Sequence, residues 1–475
     1  MGAFELAVSL FSDGLIALRS EIALFAAIWI VVGILDEVAI DACFLWLWLR
    51  GHRRSACLPE EFGQAPLKGT AAVFIPTWQE SVVIGFTLRQ ACQGWRHADL
   101  RIYVGCYRND AETIAAVLDA AGTDPRVRLV IHDRPGPTTK ADCLNRLYAA
   151  LCDDEQRTGT TARCVILHDA EDMVHPAALQ VIDDALDQVD FVQLPVRPEP
   201  DPGSRWIAGH YIDEFTEAHA KLLVVRSALG QAIPAAGVGC GFARPALAAL
   251  ARQRSFTGEA GPFAAECLTE DYELGLLISA QGRRAAFLRL RDSTGALVAT
   301  RSYFPGELEP AVRQKTRWIH GIAFQAWERM GWAGQPFEVW MALRDRRGPL
   351  TALVLAAAYA VLVADGLVWL LYLGGVARPP ALDPLVWNLL LFTLFGLLWR
   401  ATLRGLFVSR EYGAIEGLRA ILRIPIGNII AIMAGRRAVL AYLRSLRGEA
   451  LQWDKTQHVQ HPAAASGRPR VSAPA

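Results

Sequence analysis

No Cys-x-x-Cys pair occurs among the nine cysteines and no ligand-like histidine spacing accompanies them, which argues against a disulfide framework or a zinc site. Scattered thiols of this kind suit a reducing compartment. An excess of either charge is also missing. The 48 basic residues are balanced by 48 acidic ones, so nucleic acid is not an expected partner. A Walker loop, a GxGxxG run and internal repeats are absent, and a P-loop or dinucleotide site has no support. Residues 1–18 lack a basic stretch and a small-residue cleavage site, and they carry Glu5 and Asp13. A cleaved signal peptide is therefore not expected, and an interfacial helix is preferred to a span.

What the chain has in abundance is apolar sequence at its two ends. Its hydrophobic share of 52% and mean hydropathy of +0.22 point to a membrane protein with a soluble middle. We read residues 1–50 as the interfacial segment and a first transmembrane helix, 51–345 as a soluble domain and 346–403 as two further spans. Residues 404–450 read as amphipathic interfacial helices and 451–475 as a mostly disordered tail. The first span, 22–49, is interrupted by Asp36, Glu37 and Asp41. These acids either pair with arginines of the C-terminal amphipathic segment, such as Arg423 or Arg436, or mark where the helix leaves the membrane. Arg50, Arg53 and Arg54 after the first span and Arg344, Arg346 and Arg347 before the second put the middle in the cytoplasm by the positive-inside rule. The second span is 350–373, a proline-bearing loop covers 377–384, and the third span, 385–398, is short. In 415–447, Pro425 and Gly427 are expected to divide the amphipathic run into two helices.

The middle alternates β-rich and helical runs. Strands are expected at 71–76, 101–107, 127–132, 164–168, 191–195 and 285–290, and helices near 80–93, 111–121, 140–151 and 176–188. That is the pattern of an α/β domain with a mainly parallel sheet, whose ligands bind beyond the carboxyl ends of the strands.

Three motifs carry chemistry. The apolar run 165–168 delivers Asp169, Glu171 and Asp172 to a strand end. Carboxylates there suit Mg²⁺ or Mn²⁺, which bind through one or two carboxylates plus substrate phosphates and offset charge on a departing diphosphate. The plainer alternative is the acidic preference of a helix start after Pro176. Thr269-Glu270-Asp271-Tyr272-Glu273 reads as another helix start, with Thr269 as N-cap, Leu274, Leu277 and Ile278 on the buried face and Gly282 as the stop. Acids are welcome in any first turn, but Asp271 is also placed to take a proton from an attacking sugar hydroxyl as general base. A single in-line displacement of that kind inverts the anomeric carbon. Gln314-Lys315-Thr316-Arg317-Trp318 lies in a helical run, 311–327, with Gln314 and Arg317 on one face. A guanidinium suits a diphosphate and an indole walls a sugar ring, whereas a juxtamembrane basic-aromatic belt is the alternative. In this order the three motifs describe transfer from a nucleotide sugar.

Together with Ile75-Pro76-Thr77-Trp78-Gln79-Glu80, Asn109-Asp110, Lys140-Ala141-Asp142-Cys143-Leu144-Asn145 and Gly239-Cys240-Gly241-Phe242-Ala243-Arg244, these motifs follow the order seen in family 2 inverting glycosyltransferases. The chain resembles their membrane-embedded branch, which includes cellulose and hyaluronan synthases. Within it, the acids at 36–41, the TTKADCLN and TEDYELG wording and Trp453-Asp454-Lys455-Thr456 are most similar to the catalytic part of the bacterial phage-adsorption protein B group, over residues 20–460. The resemblance implies a GT-A fold that takes a UDP-sugar with Mg²⁺ or Mn²⁺. It implies Glu80 and Asp110 near the uridine, Lys140 near the diphosphate and Asp169 with Glu171 or Asp172 at the metal. Asp271 becomes the base, and Gln314, Arg317 and Trp318 hold donor and acceptor, while Glu270 and the 239–244 loop, with Gly239, Gly241 and Arg244, face the acceptor sugar. It further implies a growing surface or exported glycan or a lipid-linked acceptor, the lipid bilayer and export proteins as partners, and the bacterial inner membrane as location, with the domain in the cytoplasm.

Two departures stand out. The usual DxD is DAED here, which leaves the second metal carboxylate open between Glu171 and Asp172. The phage-adsorption group also carries a C-terminal domain implicated in binding cyclic di-GMP, and regulation by that nucleotide is not carried over to this sequence. An alternative of another class is a membrane receptor or assembly scaffold without turnover. Loss of Asp169, Asp271 or Arg317 would mark it, and all three are present. A glycosidase needs neither the acidic metal run nor the basic-aromatic clamp.

Overall fold

The computed structural model describes residues 3–51, 56–256, 258–332, 334–374, 384–448 and 461–462. In chain order its strands are β1 (Ala71–Pro76), β2 (Leu100–Tyr107), β3 (Val127–His132), β4 (Cys164–Leu167), β5 (Phe191–Gln193), β6 (Val196–Pro198), β7 (Cys240–Ala243), β8 (Ala285–Phe287) and β9 (Thr300–Ser302). Seven of them form a sheet of order β3-β2-β1-β4-β7-β5-β8, and β6 and β9 pair separately. The large sheet is parallel except for β7, which runs antiparallel to both β4 and β5.

The strands read as unbroken apolar runs because helices cover both faces. Side chains alternate with period two. Val73 and Ile75 of β1 join a layer with Leu88 of helix Ile84–Gly94, Trp95 just after it, and Leu179 and Ile182 of helix Ala178–Ala185. Ala72 and Phe74 join the opposite layer with Leu144 and Leu147 of helix Lys140–Thr158 and Leu274 and Ile278 of helix Glu270–Ala280. Each large aliphatic side chain so buried contributes ~1.5–3 kcal/mol, which makes this double layer the rigid platform for whatever sits at the strand ends. The strands expected at 164–168, 191–195 and 285–290 end one to three residues early. At β5 the reason is covalent, since Pro195 has no N–H to continue the ladder.

The first helix, Ala3–Leu49, is continuous over 47 residues, about 70 Å at 1.5 Å per residue. That is more than twice a ~30 Å hydrocarbon layer. Its carboxyl half packs on the α/β domain instead, with Ile40 and Leu47 against Val225 and Met341. The acids at 36–41 lie on this half, within the apolar stretch Ile16–Leu49 that is long enough to span. Their partners differ from those expected. Arg347 binds Asp36 at 2.7 Å and Glu37 at 2.6 Å, Arg344 bonds both, Arg400 reaches Glu37 at 3.0 Å, and Lys221 reaches Asp41 at 2.7 Å. Trp340 and Trp399 donate their indole N–H groups to Asp36 and Asp41. Arg423 is instead buried against Asp213 and Glu416.

Among the described residues four helices are long and apolar enough to cross a membrane, within Ile16–Leu49, Gly348–Leu373, Pro384–Tyr412 and Ile424–Ser445. Two departures from expectation follow. The third helix extends well past 398, and the second half of the supposed interfacial region is itself of spanning length. Helix Ile424–Ser445 packs on helix Leu308–His320 through Ile430, Ala434 and Val312. Its predecessor, Ala414–Leu422, ends at Arg423, and Pro425 sits in the first turn of the new helix, where a missing N–H costs nothing. Asp365 in the second span is paired by Arg19. Arg53, Arg54, most of the 377–384 loop and the 453–456 motif lie outside the described residues.

Candidate active site

β1, β2 and β4 point the same way and release the chain on one edge of the sheet. After β1, Gln79 takes up φ +54°, a left-handed conformation rare for a residue with a side chain. Asp110 holds it there. One carboxylate oxygen accepts from Gln79 N at 2.5 Å, and the other accepts from Thr113 N at 3.3 Å as the N-cap of helix Ala111–Ala121. Glu80 N donates to Thr113 Oγ1 at 2.9 Å. Glu80 and Asp110 are thereby brought together, both buried, beyond β1 and β2.

Thr139 caps helix Lys140–Thr158 by accepting from Asp142 N, which places Lys140 in the first turn. Its Nζ lies 2.5 Å from Asp169 Oδ1, just beyond β4. Asp172 behaves differently from Asp169. Its carboxylate is buried, accepts from Asp169 N at 2.9 Å and lies 2.9 Å from His168 Nδ1. Burial pushes its pKa up and the His168 ring works against that. Asp172 thus helps to shape the turn and is buried, whereas Asp169 and Glu171 beside it are partly exposed. Among the described residues no group of three or more His, Cys, Asp or Glu side chains could enclose an ion. Two carboxylates at a strand end fit an ion shared with substrate phosphates.

Thr269 occupies the N-cap position of helix Glu270–Ala280 but makes no side-chain capping bond. Asp271 Oδ1 accepts from Tyr272 N at 2.8 Å, and its other oxygen faces Gly237. Gly237 has φ +74°, and a Cβ there would fall 2.4 Å from Asp271 Oδ2 and 3.2 Å from Lys140 Nζ. Only glycine suits both demands. The acid of the 269–271 motif and the ammonium of Lys140 therefore meet at one point.

The electrostatics follow from crowding. Burial raises the Glu270 carboxyl, the Asp271 charge adds to this, and Lys140 and Arg317 draw it down, for a pKa of about 7. Burial likewise lifts Asp271 above the ordinary carboxylate range against the pull of Lys140. Burial alone would lower the Lys140 pKa, but Asp169, Glu270 and Asp271 raise it above its usual value. The cation is the hub of the site.

Helix Leu308–His320 brings Arg317 within electrostatic reach of Glu270 and Asp271. Trp318 stands edge-on to Tyr211 and Phe215 at 6.0 and 6.2 Å between ring centres. Gln314 Oε1 is buried without a hydrogen-bond partner among the described residues, which costs ~1–3 kcal/mol unless a ligand supplies a donor. The helix expected over 311–327 is interrupted by a π-helical turn, Gly321–Gln325, before Ala326–Met330. Such turns are frequent at functional sites. Here it aims Gln325 Oε1 at Leu268 N, 3.0 Å away, and so ties the two motif helices together.

The 239–244 loop is not a loop. Cys240 pairs with Leu167 and Ala243 with Cys164, so β7 starts at the site and runs away from it. Gly239 sits at the site end, with its N–H on Leu167 O and its carbonyl taken by Leu194 N. Gly241 does not face an acceptor. It lies mid-strand, where a Cβ would fall 2.2 Å from Ile182 Cγ2. Arg244 does not either. It is at the far end of the strand, bound to Glu155 at 2.7 Å and to Tyr148 Oη at 2.8 Å. Sequence reasoning missed Gly237, although the glycine-rich run containing it was noticed from residue 239 onward. It also missed Glu214, which pairs with Lys315 from helix Gly209–Glu217 and carries no sequence signal linking the two.

Comparison with known proteins agrees with this geometry. A protein family described as "Glycosyltransferase like family 2" matches residues 69–321, the stretch that holds the candidate site residues from Glu80 to Trp318. Bacteriophage adsorption protein B of Escherichia coli (strain K12) is 32% identical over 92% of this chain, as is bacteriophage N4 adsorption protein B of Escherichia coli O157:H7. The chain spans 62% of the length of these relatives. Among solved structures, a mannosyltransferase from Pyrobaculum calidifontis in complex with GDP-Man and Mn²⁺ is similar at 18% identity and a TM-score of 0.48, over 83% of this chain and 97% of that one. A glucosyl-3-phosphoglycerate synthase from Mycobacterium tuberculosis with Mn²⁺ and UDP-glucose reaches 16% and 0.31, over 55% and 78%. With its α/β sheet and the ordered motifs at the strand ends inside the matched region, the chain belongs to the glycosyltransferase-like family 2.

Proposed function

We propose that the protein is a membrane-bound glycosyltransferase that moves a sugar from a UDP-sugar to a growing surface or exported glycan, with inversion and with the help of Mg²⁺ or Mn²⁺. One observation carries the reading. Lys140 gathers Asp169 from the end of β4 and Glu270 and Asp271 from a helix start a hundred residues later, with Arg317 alongside. Three carboxyl groups around one ammonium suit a site that receives further cation and an anionic leaving group.

In this reading Asp169 and Glu171 hold the metal, which offsets charge on the diphosphate when bound. Lys140 and Arg317 bind the diphosphate, and Arg317 supplies the fork geometry that phosphate oxygens accept. Glu80 and Asp110 lie on the nucleoside side. Asp271 accepts the proton of the acceptor hydroxyl as that oxygen attacks the anomeric carbon, and the sugar–diphosphate bond breaks in the same displacement. Its raised pKa brings it nearer the working range of a general base. Gln314, Trp318, Glu270 and Gly239 line the acceptor side. Donor handling in the cytoplasm of a bacterial inner membrane fits the four candidate spans. A lipid-linked acceptor with single transfers is the nearest variant.

A second reading, a membrane component for phage adsorption, rests on the names of the relatives and does not exclude turnover. The test is UDP release from a panel of UDP-sugars by the purified, membrane-reconstituted protein, with and without Mn²⁺, beside Asp271→Asn. Metal-dependent release from one donor, lost in the variant, is expected. Metal-independent binding of UDP with no release from any donor, acceptor supplied, would sink the transferase reading in favour of the second.

A further inference from the structure

The turn that presents Asp169 and Glu171 is braced from behind. On one side Gln90 of helix Ile84–Gly94 makes a reciprocal pair with the main chain of Val174, donating to its carbonyl at 2.6 Å and accepting from its N–H at 2.9 Å. On the other, Thr87 one turn earlier on the same helix donates to Ala170 O at 2.5 Å. A third brace comes from outside the domain. His461, 374 residues along the chain from Thr87, brings Nε2 to 3.2 Å from the Thr87 hydroxyl. Its ring is hydrogen-bonded to the Asp172 main chain and stacks on Phe86, with centroids 5.6 Å apart and planes 14° from parallel. It is 2% exposed. Burial lowers its pKa to about 4, so the ring is neutral and adds geometry without adding charge.

We infer that His461 is a positioning residue for the donor site: through Thr87 and the Asp172 main chain it holds the 169–172 turn, and with it the two acids that face the metal and diphosphate, in register. Partners one layer out from a metal typically control its affinity by ~10–100-fold. His461 thus acts as a brace that completes the donor site. The substrate assignment rests on the function proposed above, but the bracing does not.

The test uses the full-length protein in its reconstituted form. In His461→Ala, the affinity for Mn²⁺ with UDP, read by calorimetry, is expected to weaken about tenfold. Amide exchange should rise in 170–174 and stay unchanged in β1 to β3. With an active donor, KM should rise by a similar factor with kcat nearly kept, and His461→Gln, which preserves a donor and an acceptor, should recover part of the loss. Unchanged binding and exchange in His461→Ala would overturn the inference. So would a loss of protection spread over the whole sheet, since His461 would then be a fold-stability contact. If no UDP-sugar is turned over, the transferase reading fails while Mn²⁺ binding and exchange still decide the bracing by His461.

Discussion

Two of the buried charge clusters among the described residues are built on opposite plans. At the junction between the first helix and the α/β domain, Asp36, Glu37, Asp41 and Glu217 are met by Lys221, Arg344, Arg347, Arg400 and Arg404. Burial opposes the Glu217 charge, yet Arg400, Arg404 and Lys221 bring its pKa down to about 2. At the strand ends Asp169, Glu270 and Asp271 share Lys140, with Arg317 in support, and the carboxyls of the 270–271 pair titrate high. A matched cluster is satisfied and holds helices together. A mismatched one retains the demand for a cation and a base that a reaction can use.

The sharpest way to break this contrast is Asp271→Asn. Turnover should fall by ~10²–10⁴ while the affinity for Mn²⁺ with UDP stays the same, measured by single-turnover kinetics beside calorimetry. Near-normal turnover would remove Asp271 as base. Next in size, Glu37→Gln leaves Arg344, Arg347 and Arg400 short of a partner and should cost ~3 kcal/mol of stability. Its thermal midpoint should drop in detergent while kcat per folded molecule is retained. A large kcat effect at full stability would mean that the junction is part of the chemistry. Asp169→Asn should weaken Mn²⁺-dependent UDP binding about tenfold or more, whereas Asp172→Asn should act mainly on the turn, seen as faster amide exchange there.

The smallest effect concerns pH. The Glu270 carboxyl has a pKa of about 7 in the folded protein against 4.5 for an unperturbed group. Between those values the folded state keeps a proton that the unfolded chain has released, so this group's contribution to stability falls as pH rises through the window. Denaturation midpoints of the metal-free protein across that range should slope less in Glu270→Gln. An identical slope would place the titration elsewhere.

The parts of the fold that were legible share a cause. β1, β3 and helix Ala111–Ala121 match expectation to the residue, the strands because they are apolar-rich runs between turn residues and the helix because Asp110 caps its start and Gly122 its end. β7 was misread as a loop because Cys240-Gly241-Phe242-Ala243 is short and half small residues, and only its place between β4 and β5 makes it a strand. The same misreading put Gly241 and Arg244 at the site. The expected pairing of Glu37 and Asp41 with Arg423 or Arg436 failed for a related reason. Any arginine in the chain satisfies a carboxylate equally well, and which one arrives depends on how helices pack.

What the amino-acid order by itself determined is the set of groups available: apolar runs long enough to span, strand ends that deliver acids, and the Gln314 to Trp318 cluster, because periodicity and local chemistry are properties of neighbours in sequence. What only the tertiary structure decided is which of these groups share a volume. That Lys140 joins Asp169 to Asp271, that Asp172 turns inward, and that His461 returns to the 169–172 turn depend on contacts between residues far apart in the chain. No local pattern encodes such contacts, since they are selected by the packing of the whole sheet and its helices.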